Sequence, residues 1–284
     1  MHAVVDSRRW SERARIGVQI KPQHATYREI RRALAIVEGI GADVVFNWDH
    51  FFPLSGDMNG RHFEAWTMLS AWAESTTTID LGVLVSSTAY RNPQLLADMA
   101  RTVDHISDRG DGGRLILGLG AGWTERDFVD YGYQFGTVAE RLNRLEADLP
   151  VIRARWELLN PPPTKPIPIL IGGGGEKRTL KIAACYADIW HGFGDAETMA
   201  HKHSVLDDWC RRVGRDPREI VRSAGVSPKP GRFPEDLDDY PAHAQALYEA
   251  GTRLFTVGLE APKWDIAPVR DLVQWRDIRN AAAH

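Results

Sequence analysis

The stretch IDLGVLVSSTAYRNPQLLADMARTVDHISDRGDGGRLILGLG, residues 79–120, reads as a strand, a helix and a second strand. Ile79–Val85 is a short apolar run, the length of a buried strand. Pro93 fits the first turn of a helix, where its missing N–H costs nothing. Beyond it Leu95, Leu96, Met99, Val103 and Ile106 fall on one helical face, and Leu115–Leu119 is again a short apolar run. Runs that are apolar on both faces suit parallel strands covered by helices. The helix between two such runs is then a right-handed crossover joining parallel neighbours.

The same alternation extends in both directions. Upstream, Ile16–Ile20 precedes a helical stretch Tyr27–Gly39, with Ile30, Ala33, Leu34 and Val37 on one stripe. Asp43–Trp48 follows, then a loop and a helix near Phe63–Ser75. Downstream, an insert carries Leu142, Leu145, Leu149, Ile152, Trp156 and Leu159 in steps of three and four, a helix that Pro161-Pro162-Pro163 ends. The remaining strands are Ile167–Ile171, Asp188–Phe193, Ile220–Val226 and Leu254–Leu259. Their helices are Glu176–Ala187, Ala196–Val213, one near Ala242–Ala250 and one near Asp265–Asn280. Eight β-then-α units predict an α/β chain folded as a single (β/α)8 TIM barrel over residues 1–284, with a helical insert after the fourth strand. An open doubly wound sheet is the rival architecture.

Lys and Arg number 35 and Asp and Glu 38, a net charge of −3, which excludes a nucleic-acid binder that works through bulk positive charge. Cys185 and Cys210 form no C-x-x-C pair, so neither a disulfide framework nor a zinc ribbon is expected. No apolar run is long enough to cross a bilayer. The first residues carry Asp6, Arg8, Arg9, Glu12 and Arg13 in place of the apolar centre of a secretion signal, so a cytoplasmic protein is expected.

In a barrel of this kind chemistry sits at the carboxyl ends of the strands. Asp49 and His50 follow the second strand, and an imidazole there can move protons near neutral pH; a loop cap and a polar rim residue are the alternative roles. Gly172–Gly175, before Glu176, Lys177 and Arg178, join a strand to a helix start, where freed N–H groups and basic side chains can cradle a phosphate. No Gly-Lys-Ser/Thr follows, so this is not a Walker loop. Gly118-Leu119-Gly120-Ala121-Gly122 has G-x-G-x-G spacing rather than G-x-G-x-x-G, and Glu140 opens a helix instead of ending a strand. A dinucleotide fingerprint therefore fails, while close backbone approach to a ligand remains open. Other strand-end positions are Lys21, Ser86, Ser87, Thr88, His191, Ser227 and Glu260. A metal is not expected, since Val18-Gln19-Ile20-Lys21 offers no histidine, and His201 and His203, two apart on a helix, are read as solvated. Lys21 leaves a phosphate-binding aldolase or isomerase as a distant rival.

Four pieces together resemble the luciferase-like flavin and deazaflavin oxidoreductases, in particular the branch using coenzyme F420. They are Trp48-Asp49-His50-Phe51, Tyr90-Arg91-Asn92-Pro93, residues Gly113 to Trp123, and Ile171–Thr179 with Ala187-Asp188. The resemblance spans roughly Ile16 to Leu259 and implies a homodimeric barrel holding a tricyclic redox ring across its mouth. It implies hydride transfer between the deazaflavin C5 and a small organic substrate, with Asp49 at the ring's polar edge and His50 moving the proton. It implies a non-prolyl cis peptide at Val83–Leu84 supporting one face of the ring. Gly120, Ala121 and Gly122 would approach the cofactor's tail, and Gly173, Gly174, Gly175, Lys177 and Arg178 would bind its phosphate. The alternatives on the same barrel are an FMN-dependent monooxygenase and a non-catalytic F420-binding protein. The sugar-phosphate dehydrogenase branch carries a glutamate and a tryptophan where this chain has Trp123 and Leu54, which argues against a sugar-phosphate substrate.

Overall fold

The computed structural model describes residues 13–226 and 239–282; Ser227 lies outside them. Among the described residues there are nine strand segments: β1 (Arg15–Ile20), β2 (Val44–Asn47), β3 (Asp80–Val83), β4 (Ser86–Ser87), β5 (Leu115–Gly120), β6 (Ile169–Gly172), β7 (Ile189–Gly192), β8 (Val221–Gly225) and β9 (Leu254–Leu259). The pairings between strands are parallel, and β1 sits between β2 and β9. From β9 the order runs through β8, β7 and β6 to β5, and β3 pairs with β5 to close the ring. The two-residue β4 pairs with the upper end of β5, Ser86 opposite Leu119. Segments β3 and β4 are thus two pieces of one stave, and nine segments make the eight staves of a TIM barrel.

The break in that stave corrects one expectation. The non-prolyl cis peptide is Leu84–Val85, one residue later than the Val83–Leu84 bond that the resemblance implies. Val83 is still in register with Asn47 of β2, so the ladder runs through it and the irregular peptide falls beyond.

The helices are α1 (Tyr27–Ile40), α2 (Ala65–Ser75), α3 (Pro93–Ser107), α4 (Glu125–Asp130), α5 (Val138–Leu158), α6 (Thr179–Tyr186), α7 (Ala196–Val213), α8 (Tyr240–Glu249) and α9 (Ala267–Ala281). Their starts follow local chemistry. Thr26 caps α1 and Thr137 caps α5, each in a reciprocal capping box with a glutamate three residues on, Glu29 and Glu140. Asn92 accepts from the N–H groups of Gln94 and Leu95 ahead of Pro93. Between β5 and β6 the chain makes α4 and α5, the helical insert.

Side chains alternate across the staves. One set, with Ile16, Val18, Leu81, Leu117 and Ile171, packs outward against the helices. The other, with Val44, Phe46, Ile116, Leu170, Ile189, Val221 and Leu254, fills the barrel's interior. Burying such side chains contributes roughly 1.5–3 kcal/mol each before chain entropy is counted. His203 belongs to this core and corrects the solvated reading. It shares the stripe Met199, His203, Leu206, Cys210 on α7, lies 2.8 Å by Nδ1 from the Ala250 carbonyl and packs edge-on to the Trp190 ring. His201 is exposed beside Glu176.

Candidate active site

A cavity of about 450 Å³ opens at the carboxyl ends of the staves. Of the residues singled out from the sequence, Asp49, His50, Leu84, Gly120, Ala121, Gly122 and Gly173 line it. Val83, Gly174, Gly175, Lys177 and Arg178 stand outside that lining.

His50 follows β2, and its ring stands edge-on between the indoles of Trp48 and Trp123. Its Nδ1 lies 2.6 Å from Oδ2 of Asp127, a fully buried carboxylate on α4. The other oxygen of Asp127 accepts from the Phe51 N–H at 3.0 Å, so one carboxylate fixes both the imidazole and the peptide beside it. The Tyr90 hydroxyl donates to Asp127 from 3.4 Å, and burial holds that phenol well above its usual range. With Nδ1–H given to Asp127, His50 presents Nε2 as its exchangeable site. The Trp48 indole is held in turn by donation to Nε2 of His62 at 2.9 Å; burial pushes His62 down to about 4, so it stays an acceptor.

Asp49 is buried, and Arg91 grips it with two nitrogens at 2.6 and 2.9 Å. Burial pushes its carboxyl up to about 6 against the pull of Arg91. Arg91 also donates to Glu64 at 2.7 Å, so one guanidinium ties the end of β2 to the cap of α2.

The glycines of β5 also have a packing role. A Cβ on Gly118 would fall 2.0 Å from the Val83 carbonyl oxygen, and one on Gly120 would fall 2.6 Å from a Val85 methyl. They let the broken β3–β4 stave press against β5 and turn Val85 into the cavity. Just past β6, Gly173 has φ 122° and its carbonyl accepts from the Trp190 indole at 2.8 Å. The run beyond it takes a basic group not anticipated from the sequence: Lys202 of α7 donates to the Gly174 carbonyl at 3.0 Å and to Glu176 at 2.5 Å. Arg178 turns to α5, to Asn143 and Glu146 at 2.8 and 3.1 Å, while Lys177 is exposed.

Asp127, Tyr90, Arg91, Val85 and His191 complete the site without a role assigned from sequence. Tyr90 and Arg91 precede the Asn92-Pro93 helix start, which hinted at them; Asp127 sits in a six-residue helix too short to show a period. The lining suits a flat aromatic ring: Gly120, Gly172, Gly173 and Gly225 offer bare backbone, Val85 a small apolar cushion, and His50 a polar edge.

Comparison with known proteins identifies the family and bears out the fold. A family profile described as luciferase-like monooxygenase matches residues 10–265. A putative coenzyme F420-dependent oxidoreductase of Mycobacterium tuberculosis is 29% identical over 227 residues, covering 68% of this chain and 60% of that protein. Among solved structures, an F420-dependent secondary alcohol dehydrogenase in complex with an F420-acetone adduct superposes with a TM-score of 0.78 at 17% identity, covering 94% of this chain and 98% of that one. A type II Baeyer-Villiger monooxygenase from Pseudomonas putida in complex with FMN gives 0.72 at 13% identity, covering 95% and 98%. With the profile matching most of its length, the chain belongs to the luciferase-like monooxygenase family.

Proposed function

We propose that this protein is an F420-dependent oxidoreductase that interconverts a small organic substrate by hydride transfer, with His50 as the catalytic acid–base. The observation that carries the reading is the His50–Asp127 pair at 2.6 Å on the wall of a glycine-backed cavity. Bound there, a deazaflavin would supply a ring carbon able to accept or release hydride.

The chain's own residues account for the rest. Gly120, Gly172 and Gly173 would receive the ring against backbone, and Val85 with Leu84 would support one face. Asp49, held by Arg91 and the Ser87 N–H, would stand at the ring's polar edge. Gly174, Gly175, Lys177 and Arg178 remain our candidates for the phosphate tail, with Lys202 added. For an alcohol–ketone pair, the proton that accompanies the hydride is taken or given at His50 Nε2, while Asp127 keeps the ring oriented and balances the imidazolium. Positioning of both partners in the barrel mouth and exclusion of water from between them are the protein's other contributions.

Equilibrium titration with F420 and FMN side by side is the test. Fluorescence quenching by F420, with FMN much weaker, is expected; preference for FMN would replace this reading with a flavin monooxygenase. F420 binding without hydride exchange to any alcohol, enone or imine would leave a carrier.

A further inference from the structure

The interior of the barrel is not uniform beneath the cavity. On the β3–β6 side the lining is mainly Leu84, Val85, Gly120 and Gly172, apolar or bare backbone, with Ser87 as its polar side chain from the staves. On the opposite side, Gln19 of β1, His191 of β7 and Thr256 of β9 line it with uncharged polar groups. Each stands two residues beyond an inward-facing position of its own strand: Gly17, Ile189 and Leu254. The sequence therefore switches from apolar to polar in one layer of three staves.

His191 is the best-defined member of that layer. It is 2% exposed, and its Nδ1 lies 2.8 Å from the Ser223 hydroxyl of β8, its neighbour in register. The Phe193 ring at the cavity rim stands edge-on to it, with centroids 4.9 Å apart. Nε2 of His191 is buried with no hydrogen-bond partner among the described residues. A buried polar nitrogen left unsatisfied costs about 1–3 kcal/mol, and such groups in a ligand cavity are satisfied by the ligand. Burial pushes the ring down to about 3, so it offers a hydrogen bond without a charge.

We infer that His191 is a binding and specificity residue whose Nε2 hydrogen-bonds an uncharged oxygen, ketone or alcohol, of the substrate. The assignment rests on the oxidoreductase reading of the cavity and names the substrate class for it. Two charged groups near this end are already paired: Asp49 is held by Arg91, and Lys21 lies 2.6 Å from Glu260. A carboxylate or phosphate brought to the His191 wall would be buried against Gln19 and Thr256 with no charge to meet it, which is costly. An uncharged carbonyl meets matched partners.

The test uses the cofactor-free protein with cyclohexanone and, as its charged counterpart, cyclohexanecarboxylate. Side-chain nitrogen NMR of histidine-labelled protein identifies His191 by the signals lost in His191→Gln. We expect a neutral ring throughout the neutral range and an Nε2 signal that moves on addition of cyclohexanone. By calorimetry, His191→Phe should weaken cyclohexanone about tenfold, the worth of one net hydrogen bond. His191→Gln, which keeps a polar head group, should lie within about threefold of wild type by the same reasoning. Cyclohexanecarboxylate should bind at least about tenfold more weakly than the ketone. An unmoved Nε2 signal, equal affinity in His191→Phe, or carboxylate binding as tight as ketone would each overturn the inference. A failed F420 titration would remove the oxidoreductase reading and leave these binding results standing, so the two failures are distinguishable.

Discussion

At the scale of single residues the site depends on two buried carboxylates with different partners. Asp127 serves His50, and the two should act as a unit. His50→Ala is expected to lower kcat by about 10²–10⁴ with F420 affinity retained. Asp127→Asn should lower kcat with KM little changed, and the double variant should be no slower than His50→Ala alone. Steady-state kinetics of the three variants checks this; strictly additive losses would separate Asp127 from the proton step. Asp49 depends instead on Arg91, whose side chain is 11% exposed against 1% for its partner. Arg91→Met should destabilise the fold by about 3–5 kcal/mol in urea unfolding, because it leaves a buried carboxylate uncompensated. Sequence reading reached His50 and Asp49 through their place at a strand end. It did not reach Asp127, 77 positions from His50, because nothing local marks a side chain whose partner is supplied by the folded insert.

At the scale of elements, the alternation of short apolar runs and amphipathic stretches was legible, with some helix starts displaced, as where α6 begins at Thr179 and not at Glu176. Leu254–Leu259 and Ala196–Val213 have the boundaries their patterns predict, since strand length and helical stripe are written in every turn. Ile79–Val85, read as one strand, is broken at Leu84–Val85, because a break inside an apolar run leaves the pattern unchanged. The break is instead recorded across the ladder, in the glycines of β5. Gly118→Ala would drive a Cβ to 2.0 Å from the Val83 oxygen, and the backbone cannot yield there. Loss of several kcal/mol, or failure to accumulate folded protein, is expected for Gly118→Ala. Gly39, inside α1 with no atom within 4 Å of a built Cβ, is the contrasting case. Gly39→Ala should raise stability by about 0.5–1 kcal/mol through helix propensity, read as a higher unfolding midpoint.

At the scale of the whole molecule, the fold encloses three imidazoles that burial keeps uncharged: His62, His191 and His203, pushed down to about 4, 3 and 4. In the unfolded chain each takes a proton near pH 6.5. The native state binds fewer protons than the unfolded one from about pH 6.5 down to about 4, so stability must fall as the solution is acidified through that window. Each histidine contributes a slope of up to about 1.4 kcal/mol per pH unit there. Asp49 and Asp148, raised to about 6, act in the opposite sense between about 6 and 4, as do Asp104 and Asp188, which burial also raises, but these smaller shifts offset only part of three histidines. His203 isolates the effect best, since it lies away from the cavity between α7 and the end of α8. Arg222 and Arg253 disfavour its charged form, while Asp207 and the Ala250 carbonyl favour it. His203→Gln should therefore flatten the dependence of unfolding free energy on pH between about 6 and 4.5 by up to about 1.4 kcal/mol per unit. Urea titrations of both proteins at stepped pH measure that slope; identical slopes would show that His203 titrates in the native state as it does in the unfolded chain. The same neutrality that makes the barrel acid-sensitive is what lets an imidazole stand inside it as an uncharged hydrogen-bonding group, so acid lability and the chemistry of the cavity's polar wall have one cause in burial.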